Sequence, residues 1–159
     1  MKQDKNELIV WSSKLSCGIK LIDEQHKGLV DLVNDMFSHV TGNYAYEKDY
    51  FKSVIQETVK YVKTHFATEE KIMLAANFSG YTEHRQKHED FILAVIESIR
   101  DYEAGKRFTL LTFTRFLRDW ILSHIALMDK QYFEYFRKIA TRNADGKIVL
   151  NLKKIGNGM

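Results

Sequence analysis

Apolar residues recur along most of the chain at spacings of three and four, the period that lines one face of an α-helix, and this pattern predicts four long helices. The first runs from about Asp23 to Val40, with Ile22 leading a stripe of His26, Leu29, Val30, Val33, Phe37 and Val40. The second runs from about Glu47 to Ala76 and aligns Phe51, Val54, Ile55, Thr58, Val62, His65, Glu69 and Met73. The third, about Thr82 to Glu103, carries His84, His88, Phe91, Val95, Ile99 and Tyr102. The fourth, from near Thr109 to about Ala140, carries Phe113, Leu117, Trp120, Ile121, His124, Met128, Tyr132 and Tyr135. Turn formers separate them: Thr41-Gly42-Asn43, then Asn77 with Ser79-Gly80, then Ala104-Gly105. Amphipathic helices of this length joined by short links predict an all-α fold, an antiparallel up-down four-helix bundle.

Two segments flank the bundle. Leu8-Ile9-Val10-Trp11 reads as an N-terminal arm packed across the helices. Beyond Asn143 to Gly146, a turn signal, Ile148, Leu150 and Leu152 alternate like a strand, while Ile148, Leu152 and Ile155 fit a helix equally well. The expected division is a bundle over residues 1–140 and a short C-terminal extension over residues 141–159.

Composition supports one helical domain. The chain has 159 residues, no proline and eight glycines, which disfavours a many-turned β architecture. Its start, Met1 to Glu7, is polar and lacks a signal peptide's hydrophobic stretch, no apolar run is long enough to span a bilayer, and the single cysteine, Cys17, has no internal partner. A cytoplasmic protein without a membrane span is expected. Net charge is +3, with the excess in the stretch from Arg137 to Met159, which carries six Lys/Arg and one acid. This is too local for a nucleic-acid-binding body, though Lys147, Lys153 and Lys154 offer a basic tail to a protein partner.

Chemistry enters with the histidines. Of six, only His39 falls off the inward stripes. His65 and Glu69 are four apart on one helix, and His84 and His88 four apart on the next, so each pair projects from one face. A lone inward histidine is ordinarily a satisfied core residue. Five of them with a buried acid cannot all be left without partners, because each would cost several kcal/mol in a domain stable by about 5–15 kcal/mol. A divalent metal would hold them, and five histidines over-supply one ion. Asp129 lies five residues after His124, about 140° round a regular helix. Either it stands apart from the site or the helix widens there into a π turn, which would bring both to one face, and such a distortion between His124 and Asp129 is predicted.

His26 within Ile22-Asp23-Glu24-Gln25-His26, His65-Phe66 leading to Glu69-Glu70, His84 with His88, and His124-Ile125 leading to Asp129-Lys130 resemble the hemerythrin family, specifically its single-domain bacterial members. The likeness covers about Leu8 to Phe136. It implies a centre of two irons that binds dioxygen reversibly. One iron would take His84, His88 and His124, the other His26 and His65, with Glu69, Asp129 and an oxo or hydroxo group bridging them. That leaves the second iron one ligand short, an open position for O2.

The resemblance also implies that the bridge, not a side chain, supplies the proton, and no further titratable residue on the inward faces stands out. Leu29, Trp120, Ile121 and Ile125 would form a dry wall around the oxygen. Where many relatives have Tyr-Pro before the third helix, this chain has Phe78-Ser79, which keeps the aromatic and loses the rigid turn residue ahead of His84. Two other readings stay open: a diiron oxidase or peroxidase, and an oxygen- or iron-responsive signalling module acting through the basic tail. Carboxylate-rich oxidase sites use more Glu and fewer His than this set.

Overall fold

A computed structural model of the chain describes residues 7–106, 109–142, 144 and 148–150. Within them four long helical segments form the antiparallel bundle: α1 (Lys20–Ser38), α2 (Tyr44–Ala75), α3 (Tyr81–Glu103), and a fourth built from α4 (Leu110–Ser123), a π-helical turn (His124–Asp129) and α5 (Lys130–Ile139). α1 packs on α2 and α4, and α2 packs on α3. Phe91 stacks on Trp120 at 3.9 Å between ring centres, joining α3 to α4.

Side chains from the loops fix where the helices begin. Asp23, in the first turn of α1, accepts from the Ser16 hydroxyl at 2.6 Å and the Cys17 and Gly18 amides at 2.7 and 3.2 Å, anchoring the incoming loop. Asn43 caps α2 by accepting from the Tyr46 amide, and Thr109 caps α4 by accepting from the Thr112 amide. Glu47 folds back to accept from the amides of Thr41 and Gly42, both at 2.7 Å. Gly42 has φ +79°, a left-handed conformation that favours glycine in this short turn.

The N-terminal arm lies where the apolar run indicated. Asn34 of α1 accepts from the Leu8 and Ile9 amides and donates to the Ile9 carbonyl, while Ile9 is buried in the core. At the other end, the short strands β1 (Ala140–Arg142) and β2 (Ile148–Leu150) pair antiparallel, with Ala140 opposite Leu150. The strand alternative therefore holds for Ile148 to Leu150, and Ala140 begins a strand instead of ending the helix. Leu152 and Ile155, and the basic Lys147, Lys153 and Lys154, lie outside the described residues.

The π turn corrects the inward stripe of the fourth segment. One extra residue per turn rotates everything after it, so Asp129, Tyr132, Phe133 and Phe136 are buried, whereas Met128 and Tyr135 are only half-buried. Leu127 is left 65% exposed on the outside of the turn.

Along the bundle, each helix contributes to one polar layer, which buried apolar residues flank on both sides in α1, α2 and the fourth segment and on one side in α3. Ile22 precedes His26 and Leu29 follows it, and Met73 and Val62 bracket Glu69 and His65. Phe91 and Val95 follow His88, and Ile121 and Tyr132 bracket His124 and Asp129. The core is thus two apolar clusters separated by one layer of imidazoles and carboxylates.

Candidate metal centre

All seven residues picked out by spacing or resemblance meet in that layer. His26, His65, Glu69, His84, His88, His124 and Asp129 are each no more than 4% exposed. They form two groups that share Glu69: His84, His88 and His124 with Glu69, and His26, His65 and Asp129 with Glu69. The π turn decides the case of Asp129, placing its Oδ1 3.0 Å from His124 Nε2 and its Oδ2 3.1 Å from His26 Nε2. Both carboxylates therefore lie between the groups: Glu69 Oε2 is 3.3 Å from His88 Nε2 and 3.6 Å from His65 Nε2.

The three-histidine end has a geometry that hydrogen bonding cannot satisfy. The Nε2 atoms of His84, His88 and His124 form a triangle with every edge 3.1 Å. A neutral ring offers either one proton or one lone pair at Nε2, so three such atoms facing one another leave at least one like-against-like contact. Metal–nitrogen bonds of about 2.1 Å put adjacent donors about 3.0 Å apart at octahedral angles and about 3.4 Å apart at tetrahedral ones. The triangle matches three donors on one face of an octahedron.

Among the described residues, the buried side-chain polar atoms without a hydrogen-bond partner are all in this layer: His26 Nδ1 and Nε2, Glu69 Oε2, His84 Nδ1, and both oxygens of Asp129. Each would ordinarily cost about 1–3 kcal/mol. Imidazole nitrogens with carboxylate oxygens suit a divalent transition metal, and a donor set of this size and arrangement fits two.

Charge among the side chains of the layer is balanced internally. Burial opposes the imidazolium of His26 and of His84, but the Asp129 and Glu69 carboxylates outweigh it and raise both to about 9. Burial dominates at His65 and lowers it to about 4. Burial also works against the carboxylates of Glu69 and Asp129, yet the surrounding imidazoles hold both below the usual carboxylate range.

Several further side chains, none of them assigned this role by the sequence, hold the donors in place. Phe66 stacks face to face on His88, with ring centres 3.7 Å apart and an interplanar angle of 5°. Trp120 does the same for His124 at 4.3 Å and 14°. His88 Nδ1 donates to Glu70 Oε1 at 3.0 Å, and His65 Nδ1 to Gln25 Oε1 at 3.0 Å. The expectation that no other titratable group stands out is corrected by Tyr132. Fully buried on the inward face, it donates its hydroxyl to Glu69 Oε1 at 2.7 Å. Burial and the two carboxylates push its own ionisation far up, so it remains a donor. Its place on the fourth stripe and the buried acid opposite were the signals available.

Of the four residues expected to form a wall, Leu29, Ile121 and Ile125 are buried in the larger apolar cluster and Trp120 packs against it. Phe133 adds an edge-on ring 6.3 Å from that of His26. Cys17 is buried and lines an apolar cleft of about 340 Å³ with Phe133 and Phe136, and burial pushes its thiol up, away from reactivity. The loop ahead of His84 is tied down by the Tyr135 hydroxyl on the Ala76 carbonyl at 2.8 Å and by Phe78 against the Tyr135 ring.

Comparison with known proteins agrees with the geometry. The "Hemerythrin HHE cation binding domain" family model matches residues 17–136. The bacteriohemerythrin of Stenotrophomonas maltophilia is 33% identical over 125 residues, covering 79% of each chain. That of Pseudomonas aeruginosa is 33% identical over 129 residues, covering 81% of this chain and 82% of the relative. A crystal structure of wild-type hemerythrin superimposes with a TM-score of 0.69 at 26% identity, over 80% of this chain and 96% of that one. With the bundle, the buried histidine–carboxylate layer and a match across most of its length, the chain belongs to the hemerythrin family.

Proposed function

We propose that this protein binds dioxygen reversibly at a centre of two irons, as a carrier, store or sensor of oxygen and not as an enzyme. In this reading His84, His88 and His124 hold one iron, His26 and His65 the other, and Glu69 and Asp129 bridge them. The observation that carries it is the asymmetry of the layer, with three histidines at one end, two at the other, and both carboxylates between. When bound, two irons would supply the electrons that reversible oxygen binding requires.

The chain's own residues would do the rest. Phe66 and Trp120 fix two imidazoles against rotation, and Tyr132 holds one oxygen of Glu69. Leu29, Trp120, Ile121 and Ile125 exclude water, which strengthens the electrostatics inside and suppresses oxidative loss of the bound gas. Five histidines against two carboxylates place little anionic charge on the metals, which favours reversible binding over an oxidase. No described helix is long and apolar enough to cross a membrane. A cytoplasmic setting belongs to this reading, and the free, buried Cys17 is consistent with it.

Metal analysis combined with absorption spectra of the reduced protein before and after air tests the reading. Two irons per chain and a visible band that appears with oxygen and disappears on its removal are expected. A single iron or none under iron-replete conditions, or a band that never reverses, would refute it. Ile125→Asn, which admits a polar group to the wall, should speed autoxidation, and an unchanged rate would remove Ile125 from that role.

A further inference from the structure

We propose that Gln25 is a positioning residue for the two-histidine end of the centre, and that its neutrality, set against the charge of Glu70 at the other end, makes the two metal positions unequal in donor strength. The inference rests on the two-metal reading above and concerns residues of this chain that donate nothing to a metal themselves.

The protonation of His65 follows from the chain of hydrogen bonds that leads to it from Thr64. Thr68 Oγ1 lies 2.9 Å from the Thr64 carbonyl, which only accepts, so the hydroxyl proton is spent there. What approaches Thr68 Oγ1 from Gln25 at 3.2 Å must then be an N–H, which sets the amide with Nε2 toward Thr68. Gln25 Oε1 is left facing His65 Nδ1 at 3.0 Å. An amide oxygen cannot donate, so Nδ1 carries the proton and His65 Nε2 presents its lone pair to Glu69 and the centre.

The backbone of Gln25 is held as well. Its carbonyl accepts from the Tyr61 hydroxyl at 3.0 Å, and that hydroxyl occupies the space a side chain at position 28 would fill. Gly28 is therefore required for Tyr61 to reach Gln25. At the other end Glu70, a carboxylate, takes the Nδ1 proton of His88 at 3.0 Å. An imidazole whose N–H is held by a carboxylate is the stronger donor, because the anion raises its basicity. The three-histidine end, backed by a carboxylate, would favour a more oxidised metal, and the two-histidine end, backed by a neutral amide, one that is easier to keep reduced.

Titration of the metal-free chain with cobalt(II), followed by its visible absorption, tests this. Wild type should take two equivalents. In Gln25→Leu the affinity for one equivalent should fall about 10- to 100-fold while the other is unchanged. Gln25→Glu keeps an acceptor for His65 and should restore that affinity to near wild type, yet lower the midpoint potential of the iron-loaded chain, because both ends are then anionic. Thr68→Val, which frees the amide without removing it, should weaken the same equivalent by a smaller factor and serves if Gln25→Leu does not fold.

Unchanged affinity in Gln25→Leu, or equal losses in Gln25→Leu and Gln25→Glu, would overturn the proposal. A wild-type chain that takes fewer than two equivalents would instead remove the two-metal reading, and this inference with it.

Discussion

The two apolar clusters on either side of the histidine layer are built differently. The larger draws buried side chains from all four helical segments, among them Val33, Phe51, Val95 and Phe113, and is closed by Ile9 from the arm. The smaller holds Ile22, Met73, Ala76, Tyr132, Phe133, Phe136 and Ile139 around Cys17, and α3 contributes no buried residue to it. At that end α3 is joined chiefly through His84 in the layer and through half-buried Tyr81. One end of the bundle can therefore be held by packing alone, whereas the other depends on what holds the polar layer together.

The comparison breaks most readily at Phe51, fully buried among the rings of Tyr102 and Phe113. Phe51→Ala should cost about 3–5 kcal/mol of unfolding free energy, measured by denaturant titration, with metal stoichiometry unchanged in the folded fraction. A loss of metal at equal folding would show that the two ends are not separable. Metal loading tests the other end. Free metal at 100 times its dissociation constant should stabilise the chain by about 2.7 kcal/mol. Hydrogen exchange should show the gain in protection concentrated in α5 and the first turns of α1 and α3, with the far half of α2 little changed. Uniform protection would refute the division.

Much of this was legible in the chain. The period of three and four located every helix to within a few residues, because α1, α2 and α3 each run without interruption. The five-residue step from His124 to Asp129 was itself the sign of the π turn, since a regular helix cannot bring both to one centre. What the stripe could not carry was its own shift by one residue beyond the turn, so Met128 and Tyr135 read as inward while Phe133 and Phe136 did not. The supporting residues were hidden for another reason. Gln25 and Glu70 sit beside His26 and Glu69 in sequence, but each serves a histidine on another helix, and Phe66 meets His88 across α2 and α3. Such pairings depend on how helices are rotated against one another, which spacing within one helix does not encode.

The layer's protonation sharpens the contrast between loaded and metal-free protein. His26 and His84, raised from 6.5 to about 9 by the carboxylates against the pull of burial, stabilise the metal-free fold below pH 6.5, and this is lost as pH rises through 9. His65, lowered to about 4 by burial, disfavours folding as pH falls from 6.5 through 4. The depressed carboxyls of Glu69 and Asp129 act the same way, their contribution fading as the medium becomes acidic. The metal-free chain should therefore be most stable near pH 6.5, with denaturation midpoints falling on both sides. Metal must displace the protons of His26 and His84, so uptake at pH 7 should release roughly two protons per chain. Calorimetry in buffers of different ionisation enthalpy measures this, and uptake without proton release would break the account.

The smallest expected effect lies where the layer meets the smaller cluster. Tyr132 belongs to both, its ring packed among Phe133, Phe136 and Phe78 and its hydroxyl on Glu69 Oε1. Tyr132→Phe keeps the ring and its packing and removes only the donor. Glu69 then loses the hydroxyl hydrogen bond that helps orient its carboxylate. Metal affinity should fall about tenfold, or about 1.4 kcal/mol, while the metal-free chain keeps its exchange protection in the larger cluster. If affinity is unchanged and only stability drops, Tyr132 acts as core packing and the layer is positioned without it. If both hold at wild-type values, the carboxylate is fixed by its metals alone, and the smaller cluster contributes less to the centre than its contact with Glu69 implies.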